Sequence, residues 1–403
     1  MITKKSSAGI GYSVVELNEV RHIFASAVPR MGTNLHEQAQ DALRTIEAVI
    51  AGEGRLGSIV RQAVFLKNVD QLDTCRGIIN DFYGDELPAT AYVLQPPCAG
   101  KLLAIEALGV GRRSGEVRIE RHSERLVVAT HSGVTWVHCA NIAPETSATG
   151  VYDRAISAFE KMSQELASCG FRFDQVIRTW LYLGDIVGPE GDTQRYKELN
   201  RARTDFYSNL QFLSGLTPPG FDRSVYPAST GIGAENRDVL MSCIALAADR
   251  DDLVLLPLEN PRQTSAFDYG KNYGPKSPKF ARAMAITVGP CASIFVSGTA
   301  SITESETQFT GDIEGQTHQT LDNIASLISE GNFRQHGMPG LGATLDDLAL
   351  VRVYIKRQDD YEKTRAVCEA RLGELPTVYA VADVCRPELL VEIEGIAFSQ
   401  RSD

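Results

Sequence analysis

Several common signatures are missing from this 403-residue chain. Its eight cysteines (75, 98, 139, 169, 243, 291, 368 and 385) form no CxxC pair, and none stands at zinc-ligand spacing from a histidine. Both points predict free thiols in a reduced cytoplasmic setting, with no bound metal. The seven histidines make no nucleophile-activating pattern. No apolar run reaches the roughly 18 residues a membrane span needs, and the first residues do not read as a signal peptide. Positive charge is also short: 40 Lys+Arg against 51 Asp+Glu, net −11. Nucleic acids and anionic membranes call for basic surfaces, so neither is an expected partner. A small anionic substrate stays possible, because a few arginines can reverse the field locally. The glycines of TGIGA (230–234) lack dinucleotide-binding spacing and read as a tight loop. No organic cofactor is implied.

What the chain does have is a threefold repetition. The unit is a strand ending in small residues, a long amphipathic helix, a strand, a second helix and a final strand. In the first copy these are IFASAVP (23–29), a helix over 36–52 with Ala39, Leu43, Ile46 and Ile50 at helical spacing, VRQAVFLKN (60–68), a helix near 70–82 and a strand up to Leu108. The second copy runs from VTWVHCANIA (134–143) to VLMSCIALA (239–247), with a helix around 193–209. The third runs from ASIFVSGTASI (292–302) to VYAVADVCRPELLVEIEGIAF (378–398). The pattern predicts an α+β fold of tandem modules, 1–113, 114–250 and 251–403, each a mixed sheet covered on one face by helices. Residues 110–130 read as a hairpin. Residues 251–282 form an excursion long enough to suggest a role beyond connection, and 331–346 read as a Gly-rich loop.

The last strand of the third copy, LLVEIEG (389–395), carries a carboxylate in an apolar run, at the place where the first two copies read Ala104 and Ser242. Burying an ionised carboxylate costs several kcal/mol, so such a residue usually has a partner or a task. Glu392 is therefore the first candidate for chemistry. Glu394, two residues on and on the same face, reads as a more solvated neighbour.

All three modules resemble the RidA/YjgF fold. Residues from about 120 to 400 resemble the chorismatase family more specifically, through RTWLYL (178–183), YKELNRAR (196–203), ASTGIGA (228–234), LENP followed by YGPKSPKFARA (258–283), SGTASI (297–302), GDIEGQTHQTLDNIASLI (311–328) and CRPELLVEIEG (385–395). The first 75 residues look fuller than that family leads one to expect. Plain RidA-type imine deamination is disfavoured. The arginine that holds the substrate carboxylate in those enzymes falls, by spacing, on Thr377 and Thr90, and the second copy has Arg223 without a matching glutamate.

The resemblance implies an enzyme that removes the enolpyruvyl group of chorismate as pyruvate, without a cofactor. It makes Glu392 the acid that protonates the vinyl carbon, a task requiring a carboxyl kept neutral by an apolar site. Cys385 together with Gly298 resembles the branch yielding 3-hydroxybenzoate. There the substrate's own ring hydroxyl displaces the enolpyruvyl oxygen, and the thiol helps open the resulting epoxide. Gly298, with Ala27 and Ala140 as apparent counterparts, leaves room in the pocket. Tyr196 and Arg203, seven apart on one helix face, and Tyr273 and Arg282 from the excursion are the implied substrate-binding residues. Asn260 and Tyr269 are weaker candidates, as are Arg352, Tyr354 and Lys356 on one strand face. The resemblance further implies a monomer whose three modules reproduce the trimer of single-module relatives, with the site between the second and third. Alternatives are a chorismate hydrolase giving a dihydroxycyclohexadiene carboxylate, a dual producer of 3- and 4-hydroxybenzoate, and a non-catalytic RidA-like metabolite-binding protein.

Overall fold

The computed structural model describes residues 2–401 apart from 8, 55, 56, 113, 114, 271–273 and 275. Among the described residues the chain builds three six-stranded mixed sheets with one topology. The first contains β1 (Ile2–Ser7), β2 (Ile10–Leu17), β3 (Val20–Ala27), β4 (Ser58–Leu66), β5 (Ala89–Leu94) and β6 (Leu103–Arg112), in spatial order β1-β2-β3-β6-β4-β5. The second contains β7 (Val117–Ser123), β8 (Leu126–His131), β9 (Val134–Ile142), β10 (Val176–Gly184), β13 (Ala228–Ala234) and β14 (Val239–Ala248). A small ribbon, β11 (Pro189–Glu190) with β12 (Thr193–Gln194), precedes its second helix. The third contains β15 (Leu253–Leu258), β16 (Ala283–Val288), β17 (Cys291–Ala300), β20 (Leu348–Ile355), β21 (Thr377–Val381) and β22 (Val391–Gln400), with a ribbon of β18 (Ile302–Thr303) and β19 (Glu306–Thr307).

Helices cover one face of each sheet: α1 (Leu35–Gly54) and α2 (Leu72–Tyr83), then α3 (Gly150–Ser168) and α4 (Arg195–Tyr207), then α5 (Ile313–Ile328), α6 (Glu330–Gln335) and α7 (Tyr361–Leu372). The apolar stripe of α1, including Ala39, Leu43, Ile46 and Ile50, packs against Ile23, Ala25 and Ile105. The other sheet faces meet in a shared centre, where Phe24 of β3 lies 5.6 Å from Phe398 of β22 and Trp136 of β9 lies 6.4 Å from Phe295 of β17. Every sheet touches both others. Tyr92 N donates to Asn141 Oδ1 between the first two, Gly298 N donates to Thr230 Oγ1 between the second and third, and Ser13 Oγ donates to Ala349 O between the third and first.

Three details differ from the sequence-based expectation. Each unit begins with two further strands: the hairpin expected at 110–130 forms as β7 and β8, but the stretches before 23 and 292 also pair as hairpins, which the sequence reading did not anticipate. Residues 253–258 of the excursion are therefore an edge strand. ASTGIGA is strand β13, not a loop. Its glycines allow close approach: a Cβ on Gly233 would come 2.6 Å from Asp383 O, and one on Gly231 3.0 Å from Tyr196 Cε2. Part of the supposed loop at 331–346 is α6, capped by Ser329, whose hydroxyl accepts from Asn332 N.

A buried charge network ties the units together. Arg352 of β20 donates to both oxygens of Glu106 on β6, at 2.6 Å each, and through Nη1 to Glu394 at 3.0 Å. Glu394 also accepts from Arg178 (2.5 Å), Trp180 Nε1 (2.9 Å), Tyr354 (3.1 Å) and Thr230. It is 3% exposed, so it is not the solvated neighbour expected from sequence. Burial alone would raise its pKa, but Arg178, Arg352 and the Thr230 and Trp180 hydrogen bonds outweigh that and hold it below the usual carboxylate range. Glu106 also shows that the third copy is not alone in ending on a buried acid. Removing one member of a buried ion pair strands the other and costs about 3–5 kcal/mol. Glu106→Gln should therefore lower the urea midpoint of unfolding, and an unchanged midpoint would mean that the Arg352–Glu106 pair does not hold the first unit to the third.

Candidate active site

A cavity of about 450 Å³ opens between the second and third sheets, within the usual size range of small-molecule sites. Its base is β22, whose Glu392 is 4% exposed and stands opposite Ala300 and Tyr354 in the sheet. Burial, then the charge of Glu394, pushes its carboxyl up to about 8, against the pull of Arg178 and Arg282. Strand β22 thus holds two carboxylates on one face in opposite states, and only Glu392 borders the cavity. Glu394 is anchored as an anion by two arginines, and Glu392 is kept a neutral acid.

Gly298 sits in an irregularity of the β17–β22 pairing between Val296 and Thr299. A Cβ there would lie 1.9 Å from Glu392 Oε1, so the absent side chain is the space the carboxyl occupies. Cys385, in the turn before Pro387, borders the same cavity. Burial, followed by the neighbouring Glu392, pushes its thiol up to about 12. It is a protonated S–H, suited to donating rather than attacking as a thiolate.

The opposite wall is α4. Tyr196 and Arg203 both border the cavity. Arg203 is 1% exposed, donates to Asn200 Oδ1 and reaches Ser229 Oγ at 3.4 Å. From the excursion, Arg282 donates to Tyr269 OH at 2.6 Å and Thr264 O at 3.1 Å, while Glu259 accepts its backbone N–H at 3.2 Å. Burial alone would lower the Arg282 pKa, but Tyr269 and Glu259 outweigh it and raise it. Tyr269 lines the cavity as well. Tyr273 lies outside the described residues.

Four weaker candidates lie elsewhere. Asn260 binds Asn323 O at 2.8 Å and borders a separate outer cleft. Arg352 and Tyr354 belong to the central charge network, and Lys356 is held by Asp383 at 2.8 Å. Sequence reasoning missed Asn200, Ser229 and Arg386 as cavity residues. Asn200 was within reach, since it is four residues after Tyr196 and three before Arg203 on the same helix face.

Strand register also corrects three correspondences between copies. Trp180 pairs with Ser242 in the second sheet as Arg352 pairs with Glu394 in the third. Ser242 is therefore the counterpart of Glu394, and Leu240 that of Glu392, while Ala104 does match Glu392. Likewise Gly298 corresponds to Asn141, not Ala140, because each lies within the irregularity opposite these positions. The position occupied by Thr377 and Thr90 is Ser229 in the second copy, since Thr179 pairs with Ser229 as Val351 pairs with Thr377. Arg223 borders the outer cleft instead.

Comparison with known proteins places the chain among relatives. Residues 112–247 match the family described as Chorismatase FkbO/Hyg5-like, N-terminal, and residues 279–399 match Endoribonuclease L-PSP. A 3-hydroxybenzoate synthase from Streptomyces hygroscopicus is 33% identical over 289 residues, covering 68% of this chain and 77% of that protein. A chorismatase from the same organism is 32% identical over 282 residues, with the same coverage. A chorismatase crystal structure superposes with a TM-score of 0.65 at 22% identity, over 95% of this chain and 99% of the other.

Proposed function

The chain belongs to the chorismatase family, and from that premise we propose that it converts chorismate to 3-hydroxybenzoate and pyruvate. The observation that carries the proposal is one cavity in which a buried Glu392, its carboxyl pushed up to about 8 by burial, stands beside Cys385 and against the backbone of Gly298. Glu392 gives its proton to the terminal vinyl carbon, and positive charge develops on the enol-ether carbon. The bond between ring carbon and ether oxygen breaks, and pyruvate leaves with that oxygen. The neighbouring ring hydroxyl oxygen closes onto the vacated carbon, and its proton returns to the Glu392 carboxylate. The Cys385 S–H assists opening of the epoxide, and loss of the ring hydrogen restores aromaticity. No water is consumed: chorismate equals the sum of the two products.

Arg203 and Arg282 supply fixed cations for the two substrate carboxylates, and Tyr196 forms part of the wall. The three RidA-like modules divide the work. The first (1–113) is structural and supplies Glu106 to the central network. The second (114–250) gives one wall, and the third (251–403) gives the acid and the thiol. The assembly is a monomer that is complete within one chain.

The test is incubation with chorismate and chromatographic separation of products. Pyruvate with 3-hydroxybenzoate supports the reading. A non-aromatic diol replaces it with hydrolysis, and chorismate that is bound but unchanged replaces it with a binding protein.

A further inference from the structure

Resting on the reading above, we infer that Ser229 recognises a substrate carboxylate, donating its hydroxyl proton to the same carboxylate that Arg203 holds. Ser229 is 4% exposed, yet it borders the cavity from β13. Its position is fixed by its backbone: Ser229 N donates to Ser297 Oγ at 2.8 Å, and Ser297 Oγ donates to Ala281 O at 2.6 Å. Its hydroxyl oxygen accepts from Thr179 Oγ1 at 2.8 Å and from Arg203 Nη1 at 3.4 Å. A serine hydroxyl has two acceptor lone pairs and one proton, so both lone pairs are engaged. The proton has no acceptor among the described residues. Buried hydroxyl donors are normally satisfied, and the space left to this one is the cavity.

Two donors on one oxygen set the direction of its O–H, so Thr179 acts as a positioning residue for a donor already oriented before substrate arrives. The adjacent guanidinium fixes the chemistry of the acceptor. The anionic groups of chorismate are carboxylates, so an acceptor that takes an N–H and an O–H side by side here is one of them, whereas a neutral substrate hydroxyl would leave Arg203 uncompensated.

The experiment compares Ser229→Ala and Thr179→Val with the wild-type chain on chorismate. A hydrogen bond to a charged acceptor corresponds to about a 10- to 100-fold rise in KM for Ser229→Ala. Its kcat and the alkaline limb set by Glu392 should stay where they are in the wild type. Thr179→Val keeps the serine hydroxyl but releases its orientation, so a smaller rise in KM alone is expected. A Ser229→Ala enzyme with unaltered KM overturns the inference, as does a loss confined to kcat. If Ser229→Ala fails to fold, an unaltered KM in Thr179→Val overturns it. Wild-type protein that leaves chorismate intact sinks the functional reading itself, whereas an active wild type with an indifferent Ser229 sinks only this assignment.

Discussion

Glu392→Gln should consume chorismate about 10²- to 10⁴-fold more slowly than the wild-type chain, the span expected when a positioned general acid is removed. Glutamine keeps the size and hydrogen-bonding capacity of the neutral acid, so the cavity persists and substrate still binds. What disappears is the transferable proton. The loss should therefore fall on kcat and not on KM. A glutamine variant turning over at the wild-type rate would remove Glu392 from the mechanism.

The pH dependence follows with a defined sign. The reactive form of Glu392 is protonated, and burial together with the Glu394 charge sets its pKa at about 8. Activity limited by this group should hold steady below that point and fall as pH rises through it. Stability should also fall with rising pH, but in a lower window. Between the ordinary value of 4.5 and about 8, the folded chain holds a proton that the unfolded chain has released. The unfolded state then binds fewer protons, so this residue's contribution to stability declines as pH rises across that window. Glu392→Gln should flatten both dependences. Persistence of the alkaline limb in the variant would assign it to another group.

Much of this was legible in the sequence, for a physical reason. Glu392 stood out because ionised carboxylates are costly among Leu389, Leu390, Val391 and Ile393. Tyr196 and Arg203 share a face at a spacing only a helix provides. The amphipathic period of 36–52 marked α1 correctly. The failures concern strands buried on both faces. VIRTWLYLG carries four residues with polar groups, Arg178, Thr179, Trp180 and Tyr182, yet every position of β10 is buried, so alternation gives no sign of which residues point to the central network. Glu394 and Glu106 look like ordinary solvated acids until the arginines of other modules are brought beside them, more than 200 residues away for Arg178 and Arg352 respectively. Register errors at Ser242 and Ala140 arose because irregular pairing inserts a residue that the sequence does not mark.

Gly298→Ala should lower kcat about 100-fold, the scale of loss when a reacting group is displaced by roughly an ångström. The alanine Cβ is fixed by the backbone, and it would meet Glu392 Oε1 at 1.9 Å, Glu392 Cδ at 2.9 Å and Thr230 Cγ2 at 3.1 Å. Thr230 cannot give way easily. It is tied to Glu394, Arg178 and the Gly298 N–H. The carboxyl end of Glu392 must therefore move, carrying the proton away from its position against β17. Shortening the acid should relieve the clash, so Gly298→Ala with Glu392→Asp should recover part of the rate that Gly298→Ala loses. Adding Cys385→Ala to Gly298→Ala also removes the S–H donor and leaves its volume open to water. A one-methyl change is worth about 1–3 kcal/mol in a tight pocket, enough to redirect a cation between an internal hydroxyl and solvent. The Cys385→Ala/Gly298→Ala enzyme should accordingly divert product from 3-hydroxybenzoate toward the dihydroxycyclohexadiene carboxylate, read by chromatography of the quenched reaction. If that enzyme still released 3-hydroxybenzoate alone, neither position would govern the outcome, and the partition would have to be set on the α4 side of the cavity.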